Sequence, residues 1–325
     1  MDDIRKKHKL SHILRNPYLP SILGSICLLI LGRSVSSGFL SMNNISSILM
    51  TTSILTLASI GQATVVISGD SGLDMSVGSI MSMTALFGPM IVMHNGYLSL
   101  LVMIPAVILM GSAVGLLNGI GVQILKVVPL VMTLIMAAVV SGFTILVTRG
   151  QPSVTVSREL QGISNTLFGP IRILPAITIV LLIAFEIFFL KKSRYGRSLM
   201  LAGNNVNASN LCGINSKWII ILAYTFAGAF AGFAGLMLVG YAGTAQMSMA
   251  TSYTMLSVAA VVIGGTKLTG GAGSYIGGAL GALVLVLITT ILQALNMAAG
   301  LRSLIQGIIL LAILLLNSRA PKLRQ

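Results

Sequence analysis

Ten stretches of predominantly apolar residues follow one another along this chain, at 17–38, 45–67, 75–94, 97–123, 129–149, 171–190, 218–242, 251–267, 273–295 and 299–317. Most are about 20 residues long, the length an α-helix needs to cross a hydrocarbon core of about 30 Å. Inside a bilayer no water is present to bond a free N–H or C=O, so only helices and closed barrels span it. The runs are too long and too uniformly apolar for barrel strands, which alternate over about ten residues. The pattern therefore predicts an all-α, polytopic transmembrane helix bundle of about ten spans. A hydrophobic content of 55%, a charged content of 8% and a mean hydropathy of +0.98 remove a soluble globular domain from consideration.

The formal charge of +14 is read as topology. Arg33, Arg149, Arg158, Arg172 and Arg302 fall on one side of the alternating spans, and the other fifteen of the 20 lysines and arginines fall on the opposite side. The excess marks the cytoplasmic face, which puts both termini there. Basic clusters without aromatic interleaving give no nucleic-acid surface. Residues 1–16 form a basic cytoplasmic segment, 17–317 one membrane domain, and 318–325 a basic cytoplasmic tail. The first span reads as an uncleaved helix, because Arg33 interrupts its end and no A-x-A site follows. Cys27, in that helix, and Cys212, in a cytoplasmic loop, fall in different compartments, so neither a disulfide nor a metal site is expected.

Enzyme chemistry finds little support. His8, His12 and His94 stand apart, no H-E-x-x-H or C-x-x-C occurs, and the absence of a Gly-Lys dipeptide excludes a phosphate loop. Any ATP would be bound by another chain. The one acid within a span is Glu186, read as a carboxylate reaching the interface beside Lys191 and Lys192. The spans instead hold neutral polar residues, among them Thr56, Gln62, Asn118, Thr133, Gln293 and Asn296. These either line a path for an uncharged hydroxylated solute or bond helices together. Glycines four apart, Gly111/Gly115/Gly119, Gly228/Gly232 and Gly273/Gly277/Gly281, let helix backbones meet closely, and packing within the chain is favoured over a dimer seam.

Residues 191–217, KKSRYGRSLMLAGNNVNASNLCGINSK, carry R-Y-G-R, then A-G-N-N, then A-S-x-x-x-G-I. This pattern resembles the coupling loop in permease subunits of binding-protein-dependent ABC importers. Three further segments are similar to the ribose-type branch of that family: G-L-D-M-S-V-G-S at 72–79, V-P-L-V-M-T-L at 128–134, and A-A-V-V-I-G-G-T-K-L-T-G-G-A-G-S at 259–274. Together with the hydropathy they cover nearly all of residues 20–317.

The resemblance implies a permease in a bacterial inner membrane, working with a second permease chain, ABC ATPase subunits that bind ATP and Mg, and an extracytoplasmic solute-binding protein. It also implies a small uncharged solute, most simply a monosaccharide such as ribose. A nucleoside, a sugar-like signalling molecule or a branched amino acid stays open, as does a stand-alone channel or secondary carrier. In this scheme Arg194, Gly196, Arg197, Gly203, Asn204, Ala208, Ser209, Gly213 and Ile214 form the ATPase-coupling loop. Gly72, Asp74, Ser76 and Gly78, with Gly264, Gly265, Thr266, Gly270 and Gly271, mark turns at an inner gate. Arg149, Arg158 and Arg172, at the largest external loop, are candidates for docking the binding protein. Asp74 precedes an apolar run and is expected to cap that helix at a cytoplasmic turn. Asp70 replaces part of the Gly-Gly pair usual in ribose-type permeases, and no role is assigned to it.

Overall fold

A computed structural model describes residues 18–69, 72–91, 96, 98–150, 156–165, 167–168 and 171–317. The two terminal basic segments and Asp70 lie outside the described residues. Thirteen α-helices are described: α1 Leu19–Val35, α2 Met42–Ile67, α3 Val77–Ile91, α4 Leu98–Gln123, α5 Pro129–Thr148, α6 Arg158–Asn165, α7 Ile173–Ala184, α8 Arg194–Asn204, α9 Val206–Leu211, α10 Ser216–Ala242, α11 Thr251–Ile263, α12 Tyr275–Ala294 and α13 Ala299–Asn317. The turn of π-helix Phe185–Lys192 extends α7, and β1 (Leu167–Phe168) pairs antiparallel with β2 (Ile171–Arg172). The all-α bundle expected from the apolar runs is the observed class.

Every apolar run became a helix, but the helices are unequal. Among the described residues, six are long and apolar enough to cross a membrane: α2, α4, α5, α7 with its π turn, α10 and α12. The runs at 75–94 and 251–267, read as full spans, shorten to α3, with 15 residues, and α11, with 13. At 1.5 Å per residue these reach only about 22 and 20 Å. Glycines and serines at their ends let the backbone leave the helix inside the protein, where other side chains replace water as partners. α3 and α11 begin against one another: Gly78 N–H donates to Thr254 Oγ1 (3.0 Å) and Ala250 N–H to Ser82 Oγ (3.1 Å).

The core sits around α2 and α10. Every α2 residue from Ser53 to Ile67 is buried. The small-residue stripes explain how the backbones approach so closely. A Cβ on Gly111 would strike the Gly228 carbonyl, one on Gly115 the Tyr224 carbonyl, and one on Gly119 the Ile221 backbone. Gly61 meets Ala227 and Gly235 meets Met81 in the same way, while Gly277 and Gly281 seat α12 on Gly264, just past α11, and on Ala260 within it. These glycines pack the chain against itself, as expected. Apolar side chains on the outer faces, such as Leu101, Leu109, Ile135, Leu146 and Val180, point outward. Such a belt suits lipid rather than water, and the protein is a multi-pass membrane protein.

Candidate functional site

Two ends of the bundle carry the polar residues singled out above. At one end, three chain segments meet through glycine. α2 ends at Ile67, and the chain turns at Gly69 with φ +81°. Gly203, near the end of α8, has no room for a Cβ between the Ile67 carbonyl and the Gly271 backbone. Gly270, φ +86°, lies on the Gly69 backbone. Gly271 N–H donates to the Ile67 carbonyl (2.9 Å), and Asn204 Nδ2 donates to the Gly271 carbonyl (3.4 Å). Gly203 and Asn204 thus touch both the end of α2 and the turn before α12. Gly264, Gly265, with φ +86°, and buried Thr266 form the start of the same turn after α11.

The segment expected to be the coupling loop folds as two short helices, each started by a polar side chain. Ser193 Oγ accepts from Gly196 N–H (2.8 Å), and Asn205 Oδ1 from Ala208 N–H (3.0 Å). Gly196 packs on the Leu190 carbonyl, and Tyr195 OH donates to the Ile219 carbonyl (3.0 Å). Burial pushes the Tyr195 phenol well above its ordinary range, which keeps it a neutral donor. Arg194 and Arg197 are exposed, Arg197 donating to the Lys192 carbonyl (3.0 Å). α9 projects from this base. Ala208 is exposed and Leu211 is 90% exposed, while Ser209 turns inward to Ser216 (2.9 Å). Gly213, φ +78°, ends the knob in open space, and Ile214 N–H returns to the Ser209 carbonyl.

The segment 72–76 corrects a second expectation. It is no surface turn: the chain re-enters the bundle, and Asp74 and Ser76 are fully buried. The Gln62 amide donates to the Asp74 carbonyl (3.1 Å) and accepts from Asp74 N–H (3.2 Å). That pairing sets Asp74 about 8 Å back along α2 from its end. Asp74 lies ahead of the helix, and its carboxylate holds Ser76, at the helix start, rather than capping the first helical turn as expected. Its Oδ1 accepts from Ser76 N–H (2.8 Å) and Ser76 Oγ (2.6 Å), while the Ser76 carbonyl accepts the first helical bond from Ile80. Asn118 Nδ2 donates to Ser76 Oγ (2.9 Å), and Thr133 Oγ1 to the Leu73 carbonyl (3.3 Å). Gly72 and Gly78 are tight against backbone carbonyls. Gln62, Asn118 and Thr133, proposed for a solute path, are therefore gathered around this turn, and Thr56 is buried in α2.

Glu186 is the third correction. Its carboxylate is buried rather than at the interface, and it holds the start of α12. Oε2 accepts from Tyr275 N–H (2.8 Å) and Ile276 N–H (3.4 Å), Ser274 Oγ donates to Oε1 (3.1 Å), and Lys191 Nζ lies 3.0 Å from Oε1. A helix N-terminus presents unpaired N–H groups and a positive dipole end, so a carboxylate there is well placed. The π turn carries it on the element that leads into α8.

The opposite end holds Gln293, which lines two adjoining cavities of about 390 and 270 Å³ with Thr290. Asn296, φ +53°, sits in the turn after α12 and lines neither cavity. Thr51, Arg302 and Gln306 line the larger one. Gln306 was missed by sequence reasoning, being a lone amide in an apolar run. Of the docking candidates, Arg149 ends α5 with φ +53°, Arg158 opens α6 and is exposed, and Arg172 lies over the Tyr241 ring at 5.6 Å.

The chain is a polytopic helical bundle with several helices long and apolar enough to cross a membrane. Residues 44–314 match the family described as branched-chain amino acid transport system / permease component, and the chain belongs to that family. It is similar to the ribose import permease protein RbsC of Escherichia coli, with 30% identity over 92% of this chain and 93% of that protein. It is also similar to the autoinducer 2 import system permease protein LsrC of Escherichia coli, with 31% identity over 95% and 89%. No solved structure is a significant match to this chain.

Proposed function

We propose that this chain forms the membrane path of a binding-protein-dependent ABC importer in a bacterial inner membrane, with both termini cytoplasmic. It carries a small polar uncharged solute, most simply a monosaccharide such as ribose. ATP and Mg belong to a separate ATPase, and a second permease chain completes the path. The observation that supports this most directly is α9, an exposed helical knob whose root, Gly203–Asn204, touches Ile67 and Gly271. A push on α9 is thereby delivered to the end of α2 and to the turn before α12. Arg149, Arg158 and Arg172 are the proposed contacts of the binding protein.

Ala208 faces solvent, so a tryptophan there meets nothing in this chain. In a reconstituted complex with ATPase and binding protein, Ala208→Trp is expected to leave permease yield unchanged and to cut ATP-driven uptake at least about tenfold, as for loss of a buried interface contact. Normal uptake and ATPase activity would remove α9 from the coupling role. The family description names branched-chain amino acids, but the threonine-lined cavity favours a hydroxylated solute.

A further inference from the structure

We propose that the larger cavity at the end remote from α9 is a contact site for the solute in the permease itself, selective for a neutral polyol. The proposal rests on the importer reading and extends it, because a permease served by a binding protein needs no recognition site of its own. The cavity is framed by α2, α11, α12 and α13, and its volume of about 390 Å³ falls among small-molecule sites, which run from about 300 to 1,000 Å³.

The polarity of its wall is decided by hydrogen bonds the threonines have already made. Thr51 Oγ1 donates to the Ser47 carbonyl (2.9 Å), Thr289 to Leu285 (2.9 Å) and Thr290 to Val286 (2.8 Å). A hydroxyl has one hydrogen, so these side chains face a guest only as acceptors. Gln306 Nε2 donates to Thr289 Oγ1 (2.9 Å), which leaves its carbonyl oxygen as a further acceptor and its second N–H as a donor. Arg302 supplies the cation of this wall, and its guanidinium has no partner among the described residues.

Ser252, Tyr253 and Gln293 also line the cavity with groups that both donate and accept, so the wall suits an uncharged guest that donates and accepts at several points. A phosphate or carboxylate sugar would satisfy Arg302 but press anionic oxygens against the remaining acceptors. An amine would satisfy the acceptors and be repelled by Arg302. A zwitterionic amino acid has its donors gathered in a single ammonium, whereas the acceptors here are spread over α2, α12 and α13. A neutral polyol distributes O–H donors around its ring and offers ring or hydroxyl oxygens to the guanidinium. Gln293, exposed at the mouth, is shared with the second cavity and marks the way in.

The test uses the full complex in nanodiscs, with exposed Cys27 and Cys212 replaced by serine and Gln293→Cys as the reporter. Alkylation of that cysteine is followed with millimolar D-ribose, ribose 5-phosphate or L-leucine as probe. Protection by D-ribose alone is expected, with its half-effective concentration rising about tenfold in Arg302→Gln, the loss of one hydrogen bond to a charged group. Arg302→Lys, which keeps a cationic donor, should fall between the two, and Thr290→Val serves if Arg302→Gln fails to assemble. Protection by ribose 5-phosphate or L-leucine instead overturns the polyol class. No protection by any probe overturns the site. Binding-protein-stimulated ATPase activity of the unmutated complex separates the two readings: stimulation without protection removes only the cavity site, and no stimulation removes the importer itself.

Discussion

The two ends of this bundle solve opposite problems with different residues. At the α9 end, Gly69, Gly203, Gly270 and Gly271 bring backbones into direct contact, so a displacement of one segment has no slack to absorb it. At the other end, threonines and amides hold four helices apart around a cavity, and the space lets small changes relax. One end is packed backbone against backbone, and the other leaves open space. Packed interiors transmit strain because they lack voids, and loosely packed regions do not.

The largest expected effect breaks the tight end. Gly203→Val places a side chain on the Ile67 carbonyl and the Gly271 backbone, neither of which is the flexible end of a side chain. A loss of about 3 kcal/mol is expected. Thr290→Val, at the cavity, should change stability by less than about 1 kcal/mol, since it removes only a bond within its own helix. Denaturation of the purified protein in detergent compares them, and equal losses would erase the contrast between the ends.

Glu186 gives a smaller effect at the same end. Glu186→Ala strands the N–H groups of Tyr275 and Ile276 and costs about 2 kcal/mol. Glu186→Gln still offers an acceptor and should recover roughly half. No difference between the two variants would show that a neutral acceptor of the same shape cannot replace the carboxylate.

The smallest effect sharpens the picture of the re-entrant turn. Asp74 Oδ2 and Asn118 Oδ1 are buried without a donor. Asp74→Asn keeps an acceptor for Ser76 and adds a donor where two oxygens lack one, so stability should hold or rise slightly. Asp74→Ala removes the bonds to Ser76 and should cost about 1 kcal/mol. A large loss in Asp74→Asn would mean that the carboxylate itself is required.

How much was legible depended on distance along the chain. The glycine stripes were readable because helical periodicity alone puts residues four apart on one face. The Asp74 bond to the start of α3 was readable because its partner lies within a few residues. Glu186 was misread because the nearest charges in sequence are Lys191 and Lys192, while most of its bonds go to residues 88 and more positions away. Gln62 and Asn118 looked like path residues because an amide inside an apolar run has no visible partner.

The amino-acid sequence by itself determined that the chain is a bundle of membrane helices and which stripes pack, since a bilayer accepts few backbone arrangements and these features are periodic or local. Only the tertiary structure decided that α3 and α11 stop short, that Glu186 holds α12, and which polar side chains remain free to meet a solute. A hydrogen bond made to a distant backbone leaves no trace in the spacing of residues, yet it settles whether a side chain serves the fold or the cavity.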